Sequence, residues 1–254
     1  MEIGSWAILT AGAALAGWID AVIGGGGLVL IPLILAVAPQ LAPATALATN
    51  KVAAVSGTAS AAFTLVRKVR PPAKELLVFG GVAMLSSAVG ATAASLLDKD
   101  VMRPVIIVLM LAAGLFVAFK PDFGSGGAGT RSSSRIWLAA AAVAGIAFYD
   151  GIFGPGTGMF LIMAFTAIFS QNFLTSAAMA KVVNTCTNLG ALVVFIAGGH
   201  VLWSLALVLA VSNVIGAQLG ARTVLGGGTR LIRYALLALV VVMSVYLSWQ
   251  QLSS

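Results

Sequence analysis

The residues Gly17-Trp18-Ile19-Asp20-Ala21-Val22-Ile23-Gly24-Gly25-Gly26-Gly27 place one acid and four consecutive glycines inside a long apolar stretch. Each glycine costs a helix about 1 kcal/mol relative to alanine, so the run predicts a break between two helices. Backbone groups freed in apolar surroundings need partners, so such a break persists where it lines a cavity or is buried in protein. We interpret the stretch as a candidate site; close packing of helices on the glycines is the alternative.

The composition predicts an all-α integral membrane protein. The chain has 254 residues, of which 60% are hydrophobic and 8% charged, against about 25% charged in a soluble domain. The net charge is +7, and the basic residues lie between the apolar stretches. Positive-inside topology explains them better than nucleic-acid binding. We therefore expect a lipid bilayer, and no nucleic acid, as a partner.

Cysteine and histidine usage limits the chemistry. Cys186 is the single cysteine and His200 the single histidine, so we expect no internal disulfide, no metal site and no cofactor. The chain contains no Gly-x-Ser-x-Gly motif and no phosphate-binding loop ending in Gly-Lys-Ser/Thr. These features do not favour an enzyme. The start Met1-Glu2-Ile3 lacks a cationic segment, so we expect no cleaved signal peptide.

A second copy of the opening stretch lies further along the chain. Asp150 follows Asp20 by 130 residues, and at the same offset Gly154 follows Gly24 and Lys181 follows Lys51. Two acids and two lysines in one register within apolar stretches indicate a duplication. We predict repeat 1 over residues 1–123, a linker over 124–135 and repeat 2 over 136–254, together forming a single membrane domain.

The basic loops predict the topology. Segments 67–74, 120–135 and 222–233 are basic and are expected in the cytoplasm, whereas 98–100 and 198–200 are expected outside. Equivalent loops of the two repeats then fall on opposite sides, so we predict inverted repeats with both termini extracytoplasmic. Inverted repeats with interrupted helices are common in secondary transporters.

Each repeat is predicted to contain a broken-helix hairpin plus three transmembrane helices. The first repeat shows apolar stretches at 6–23, 28–37, 45–66, 76–97 and 101–119; the second shows them at 136–153, 159–169, 175–197, 202–221 and 231–249. Taking each broken helix as one stretch gives about 8, because about 20 residues are needed for a crossing. These make about 6 full spans with two re-entrant hairpins, or about 10 crossings if each arm spans.

The two lysines are candidate anion-binding groups. Lys51 lies about six residues, or roughly 9 Å, into its span, and Lys181 is its match. An ionisable side chain at such depth is costly unless it is paired or hydrated, and it usually faces a cavity. The structural alternative is a neutralising ion pair within each repeat, Asp20 with Lys51 and Asp150 with Lys181.

The glycine breaks suit an anion, because the N-termini of the helices starting near Leu28 and Met159 offer N–H groups and a positive dipole end. Asp20 and Asp150 are predicted to couple protons or to pair with the lysines. Ser56, Thr58, Thr187 and Asn188 are further neutral donors, although each alone is better explained as a helix–helix contact. The predicted substrate-binding residues are Gly24, Gly25, Gly26, Gly27, Asn50, Lys51, Gly154, Gly156, Thr157, Gly158, Lys181 and Asn184.

Over nearly its whole length the chain resembles the sulfite exporter TauE/SafE family of membrane permeases. The resemblance is carried by 17–27 with Pro32, by Ala46-Leu47-Ala48-Thr49-Asn50-Lys51, by 151–158, by 178–181 and by 216–221. It implies movement of small sulfur-containing anions such as sulfite, sulfoacetate and other organosulfonates. One departure is Met179-Ala180-Lys181 in the second repeat, where the first has Thr49-Asn50-Lys51.

The predicted function is that of a proton-coupled secondary transporter for such an anion, working by alternating access in the bacterial inner membrane. An anion channel and a non-transporting accessory membrane subunit are the alternatives. The residues leave open the substrate, the direction, the coupling ion and whether the protein is a homodimer.

Overall fold

The computed structural model describes residues 3–96 and 135–226 together with positions 102, 104, 105 and 108. Its main described helices are α1 (Ile3–Ile23), α2 (Gly27–Val37), α3 (Pro43–Val69), α4 (Ala73–Ser95), α5 (Ile136–Ile152), α6 (Thr157–Phe169), α7 (Phe173–Ala197) and α8 (Trp203–Leu225). This confirms the all-α prediction. The predicted spans 101–119 and 231–249 and the linker lie outside the described residues, apart from the isolated positions and Arg135.

Four helices, α1, α4, α7 and α8, are long and apolar enough to cross a membrane. Helix α3 is also long, at 27 residues, and it carries Lys51 in its interior and Arg67 and Lys68 in its last turn. By contrast, α2 has 11 residues and α6 has 13. Helices of these lengths extend about 16 and 20 Å, well short of a hydrocarbon core of about 30 Å.

Helices α1 and α2 form an antiparallel hairpin whose tip is the glycine run. Near the tip, the Gly26 backbone lies against the Cβ of Asp20; further away, Gly12 faces the side chain of Leu33. The chain turns at Gly24, whose φ of 83° is readily adopted only by glycine. The hairpin was predicted as a pair of half-helices, but α1 has 21 residues, so only the second arm is short.

The second break repeats this design between α5 and α6. Gly154 and Gly156 have φ values of 90° and 82°, and Gly156 is the residue from which α6 begins. The hydroxyl of Tyr149 donates to the carbonyl oxygen of Pro155 at 2.7 Å, which fixes the turn to the preceding helix.

The ends of the lysine-bearing helices follow from local sequence. Pro43 opens α3, where its missing N–H costs nothing. The helix ends at Val69. The next residue, Arg70, has a left-handed φ of 51°, and its N–H donates to the carbonyl of Val66. Helix α7 is capped by Asn172, whose side chain accepts from the N–H of Thr175 at 2.8 Å.

The helix packing is exchanged between the two halves. Helix α8 begins and ends 130 residues after α4 (203 − 73 and 225 − 95). Helix α1 packs on α8 as α5 packs on α4, α3 packs on α8 as α7 packs on α4, and α3 packs on α7. Every major contact thus has its counterpart under the 130-residue offset.

Matched glycines bring these helices close together. A Cβ on Gly90 would overlap the carbonyl oxygen of Phe148, and a Cβ on Gly220 would overlap that of Trp18, its counterpart. Small residues of this kind allow close approach of membrane helices. Asn213 adds an interhelical hydrogen bond from Nδ2 to the carbonyl of Ala13 at 3.1 Å.

The outward faces of α4 and α8 are apolar. The large hydrophobic side chains exposed there include Leu77, Leu85, Val89, Leu207, Val211, Ile215 and Leu219. With the polar groups turned inward, this is the distribution that a lipid environment favours.

Candidate functional site

A polar cavity lies where the two glycine breaks meet. Gly24 and Gly158 touch backbone to backbone, so that a Cβ on Gly158 would come within 2.5 Å of the Gly24 Cα. The cavity beside this contact has an empty volume of about 280 Å³ and draws on both halves of the chain. Its lining residues are Asp20, Gly24, Gly27, Asn50, Lys51, Ala54, Asp150, Gly154, Gly158, Asn184 and Asn188.

Most of the predicted site residues therefore come together at one place. Those that do not line the cavity lie directly behind it: Gly25, Gly26, Gly156, Thr157 and Lys181. Lys181 is completely buried and contacts the cavity-lining Asp20. Thr157 and Gly26 hydrogen-bond to the two aspartates. The ligand-binding role predicted for these residues remains a prediction.

The ion pairs cross between the repeats. Lys51 Nζ lies 2.6 Å from Asp150 Oδ2, and Lys181 Nζ lies 2.9 Å from Asp20 Oδ2. The pairing within each repeat, Asp20 with Lys51 and Asp150 with Lys181, was wrong. The reason is that each glycine break packs against the other half, so that its aspartate faces the lysine-bearing helix of the opposite repeat.

The Asp150 corner is closely held. Lys51 Nζ donates to Asp150 Oδ2 and, at 2.8 Å, to the Asp150 carbonyl oxygen. The hydroxyl of Thr157 donates to Asp150 Oδ1 at 2.8 Å. The Lys51 and Asp150 side chains are each only 2% exposed. The hydrogen bonds offset part of the large desolvation cost of two buried charges.

The Asp20 corner has the same plan with fewer constraints. Lys181 Nζ donates to Asp20 Oδ2 and to the Asp20 carbonyl oxygen. The N–H of Gly26, at the start of α2, donates to Asp20 Oδ1 at 3.2 Å. The Asp20 side chain is 14% exposed. The N–H of Gly26 is thus already engaged, because the protein's own carboxylate accepts from it.

Three asparagine side chains complete the cavity wall. Asn50 is 5% exposed and forms no side-chain hydrogen bond with any residue in the described part of the chain. Asn184 Oδ1 accepts from Thr187 at 3.1 Å and from Asn188 at 3.2 Å. Asn188 was weighed only as one of several neutral donors. Its position four residues after Asn184, on the same helix face, was the signal that could have selected it.

The remaining hydroxyl candidates have local roles. Ser56 donates to the carbonyl of Val52, and Thr58 to that of Ala54, both within α3. Gln218 of α8 hydrogen-bonds to Ser60 and accepts from Thr64 at 3.0 Å. The bonds of Gln218 join two helices, whereas those of Ser56 and Thr58 stay within α3, so the expected helix–helix bond is not formed by these two hydroxyls.

The charges around the cavity balance. Two lysines and two aspartates form the two crossed pairs. Helices α2 and α6 begin at the cavity and contain no charged residue. Among the described residues, no group of His, Cys, Asp and Glu could hold a metal ion. Within the part of the chain that the structure describes, the site is therefore polar and net neutral, and its charges are those of two carboxylates and two ammonium groups.

Comparison with known proteins assigns this architecture to a family. The model of the family described as "Sulfite exporter TauE/SafE" matches residues 9–247. The chain belongs to this family. It is 35% identical over 237 residues to the "Probable membrane transporter protein YfcA" of Escherichia coli strain K12, covering 92% of this chain and 86% of the relative.

Two further relatives agree. A "Probable membrane transporter protein" of Haemophilus influenzae is 36% identical over 239 residues, or 94% of this chain and 91% of that protein. The "Probable membrane transporter protein ORF9" of a Sinorhizobium species is 31% identical over 241 residues, or 95% and 91%. No solved structure matches the chain. The TauE/SafE family member described here is thus a multi-pass membrane protein of the transporter class.

Proposed function

We propose that this protein is a secondary transporter of a small sulfur-containing anion, such as sulfite, sulfoacetate or another organosulfonate. The observation that carries the proposal is the polar cavity between the two glycine breaks, to which both repeats contribute a carboxylate and Lys51 contributes an ammonium group. The family's description as sulfite exporters supports the substrate class.

The cavity chemistry fits an oxyanion. Amide N–H groups of Asn50 and Asn184 can donate to sulfonate oxygens without adding charge, whereas the Asn188 amide already donates to Asn184. Lys51 and Lys181 can supply positive charge when their carboxylate partners are neutralised. The cavity is small, which favours a solute of a few heavy atoms.

Alternating access is the transport mode that we propose. The exchanged packing of the two halves supports it, since related halves can rock about a site that lies between them. The glycine breaks support it too, because interrupted helices place ion-binding groups at mid-depth. An inner-membrane location, inverted repeats, extracytoplasmic termini and a homodimer belong to the same proposal.

Transport by the purified protein in liposomes tests the proposal. Labelled sulfite, sulfate, thiosulfate and sulfoacetate are offered on one side, with and without a proton gradient. We expect saturable uptake of at least one anion, accelerated by the gradient. Electrogenic flux that ignores the gradient would instead indicate a channel, and absence of any flux would indicate an accessory subunit.

A further inference from the structure

Building on the proposed transport function, we propose that Asp20 is an internal competitor of the transported anion. Asp20 holds Lys181 and the N-terminus of α2 until it binds a proton, and the anion then takes its place. One proton is thereby taken up for each negative charge bound at this corner. Asp150, at the matched position, remains ionised and serves as a fixed brace.

Asp20 already occupies the place that an anion would take. Its Oδ1 accepts from the Gly26 N–H at the start of α2, and its Oδ2 accepts from Lys181 Nζ. A helix N-terminus together with an ammonium group is an anion-binding arrangement. Asp20 lines the cavity and Lys181 lies behind it. An anion therefore contacts the lysine only after the hydrogen bond between Lys181 and the Asp20 carboxylate has broken.

Charge balance makes the proton necessary. The Asp20–Lys181 pair is neutral, so a monoanion added beside it would leave one uncompensated negative charge in a buried site, which is strongly unfavourable. When a proton adds to Asp20 Oδ2, the hydrogen bond from Lys181 to that oxygen breaks. Lys181 then donates to an anion oxygen, and the corner is neutral again. Release of the anion returns the proton.

The adjoining cavity holds a polar group that awaits a partner. Asn50 is 5% exposed and lines the cavity. Its side chain makes no hydrogen bond within the described part of the chain. Its amide is therefore free to bind a ligand in the cavity. An oxyanion that bridges Asn50 and Lys181 would satisfy it.

The two corners differ in ways that assign the proton to Asp20. The Asp20 side chain is 14% exposed and that of Asp150 is 2% exposed. Asp150 also accepts from the Thr157 hydroxyl, whereas the matched residue in the first repeat is Gly27, which has no side chain. Asp150 Oδ1 lies 2.8 Å from its donor, against 3.2 Å for Asp20 Oδ1, so Asp150 is the more closely held and the less exposed of the two.

Among the residues that the structure describes, few other charges face Asp20. Lys181 contacts it from α7, Lys51 lies across the cavity on α3, and Asp150 lies across it on α5. Helices α2 and α6 carry no charged residue. Arg222 of α8 is exposed. The state of Asp20 is therefore governed mainly by Lys181 and by the anion itself.

The test is calorimetric titration of the purified full-length protein with ethanesulfonate, sulfoacetate and thiosulfate, whose charges are constant around neutral pH. Each titration is repeated in two buffers with different ionisation enthalpies, which gives the number of protons taken up. We expect about one proton per ethanesulfonate, and an affinity that rises about tenfold for each unit of falling pH while Asp20 titrates.

Two variants locate the proton. Asp20→Asn mimics the protonated acid, and we expect it to bind ethanesulfonate with no proton uptake and no pH dependence. Gly27→Ser supplies the hydroxyl that Thr157 supplies in the other repeat; its Cβ fits, since the nearest atoms lie at 3.5 Å. We expect it to keep proton uptake but to bind about tenfold more weakly at a given pH, as one hydrogen bond to a charged group allows.

Four outcomes would overturn the inference. Binding by the unchanged protein without proton uptake would do so, and so would an unaltered pH dependence in both Asp20→Asn and Gly27→Ser. If proton uptake were lost in Asp150→Asn and kept in Asp20→Asn, the proton would belong to Asp150 and not to Asp20. If the unchanged protein bound none of the three anions at any pH, the proposed substrate class would fail, and the inference with it.

Discussion

The Asp150–Lys51 and Asp20–Lys181 corners are built from matched residues and held to different degrees. Each contains a carboxylate at a glycine break and a lysine from the other repeat's long helix. In the Asp150 corner a hydroxyl from Thr157 secures the carboxylate, and Tyr149 ties the turn to its helix. The counterparts of these two residues in the first repeat are Gly27 and Ile19, which cannot form such bonds.

This difference shows how two halves with matched residues can hold their carboxylates to different degrees. The backbone breaks, the lysines and the crossed pairing are common to both halves and close the cavity from both sides. The hydroxyl groups are present in one half only, and they make one carboxylate a brace while the other retains some exposure. Two changed side chains are enough to distinguish the corners without altering the fold.

Removing either lysine should have the largest effect. Lys51→Ala leaves Asp150 buried without its cation, and breaking such a pair costs about 3–5 kcal/mol. Lys181→Ala should cost less, because Asp20 is partly exposed and can be hydrated. We expect both to abolish anion binding, with the greater fall in thermal unfolding midpoint for Lys51→Ala.

The double variant Lys51→Ala/Asp150→Ala is the control for this comparison. Without the uncompensated charge it should recover much of the lost stability but not the transport activity. Equal destabilisation by the two single variants would contradict the difference between the corners. Unchanged anion affinity in either would make that lysine purely structural.

Filling the breaks should have the next largest effect. Gly26→Val places a side chain against Asp20, whose Cβ lies 2.6 Å from the position of a Gly26 Cβ. Gly156→Val forces a β-branched residue to a φ of 82°, at a cost of about 1–2 kcal/mol or more. We expect both to eliminate transport in the liposome assay.

The matched control is Gly226→Ala at the end of α8. The nearest atoms to a Cβ there lie at 3.6 Å, which is an ordinary contact, so transport and stability should be nearly unchanged. A monodisperse Gly26→Val protein that is still stabilised by the anion would show that the glycine serves helix packing alone.

Thr157→Val sharpens the comparison with a smaller change. It keeps the branched shape and removes the hydroxyl that donates to Asp150 Oδ1. A hydrogen bond to a charged group contributes about 1.5–3 kcal/mol, and the unfolding midpoint should fall accordingly. Thr157→Ser keeps the hydroxyl, so its unfolding midpoint should stay close to that of the unchanged protein. If the midpoint of Thr157→Val were also unchanged, the hydroxyl would not be holding Asp150.

The smallest effects are expected from cysteine labelling, which tests whether the corners are related by inversion. In a Cys186→Ser background, Lys68→Cys at the end of α3 and Gly199→Cys in the α7–α8 loop are both exposed. They should leave transport unaltered and react with an impermeant reagent from opposite sides of the membrane. Reaction from the same side would contradict inverted repeats.

Much of the framework could be read from local sequence. Runs of apolar residues predicted every described helix, and the helix ends lie within a few residues of the predicted ones, as at α3, predicted over 45–66 and observed as Pro43–Val69. The glycine runs predicted the breaks, because a local backbone preference requires no knowledge of distant contacts. The 130-residue register likewise selected both aspartates and both lysines before any contact was known.

Local sequence is enough to locate the charges at depth and the helix breaks, since these properties belong to single residues and their near neighbours. Which aspartate meets which lysine depends instead on how the helices pack in three dimensions. The partners are separated by 99 and 161 residues along the chain, and an ion pair depends on distance in space. Because each break packs against the opposite repeat, every buried lysine finds its nearest carboxylate there and not in its own half.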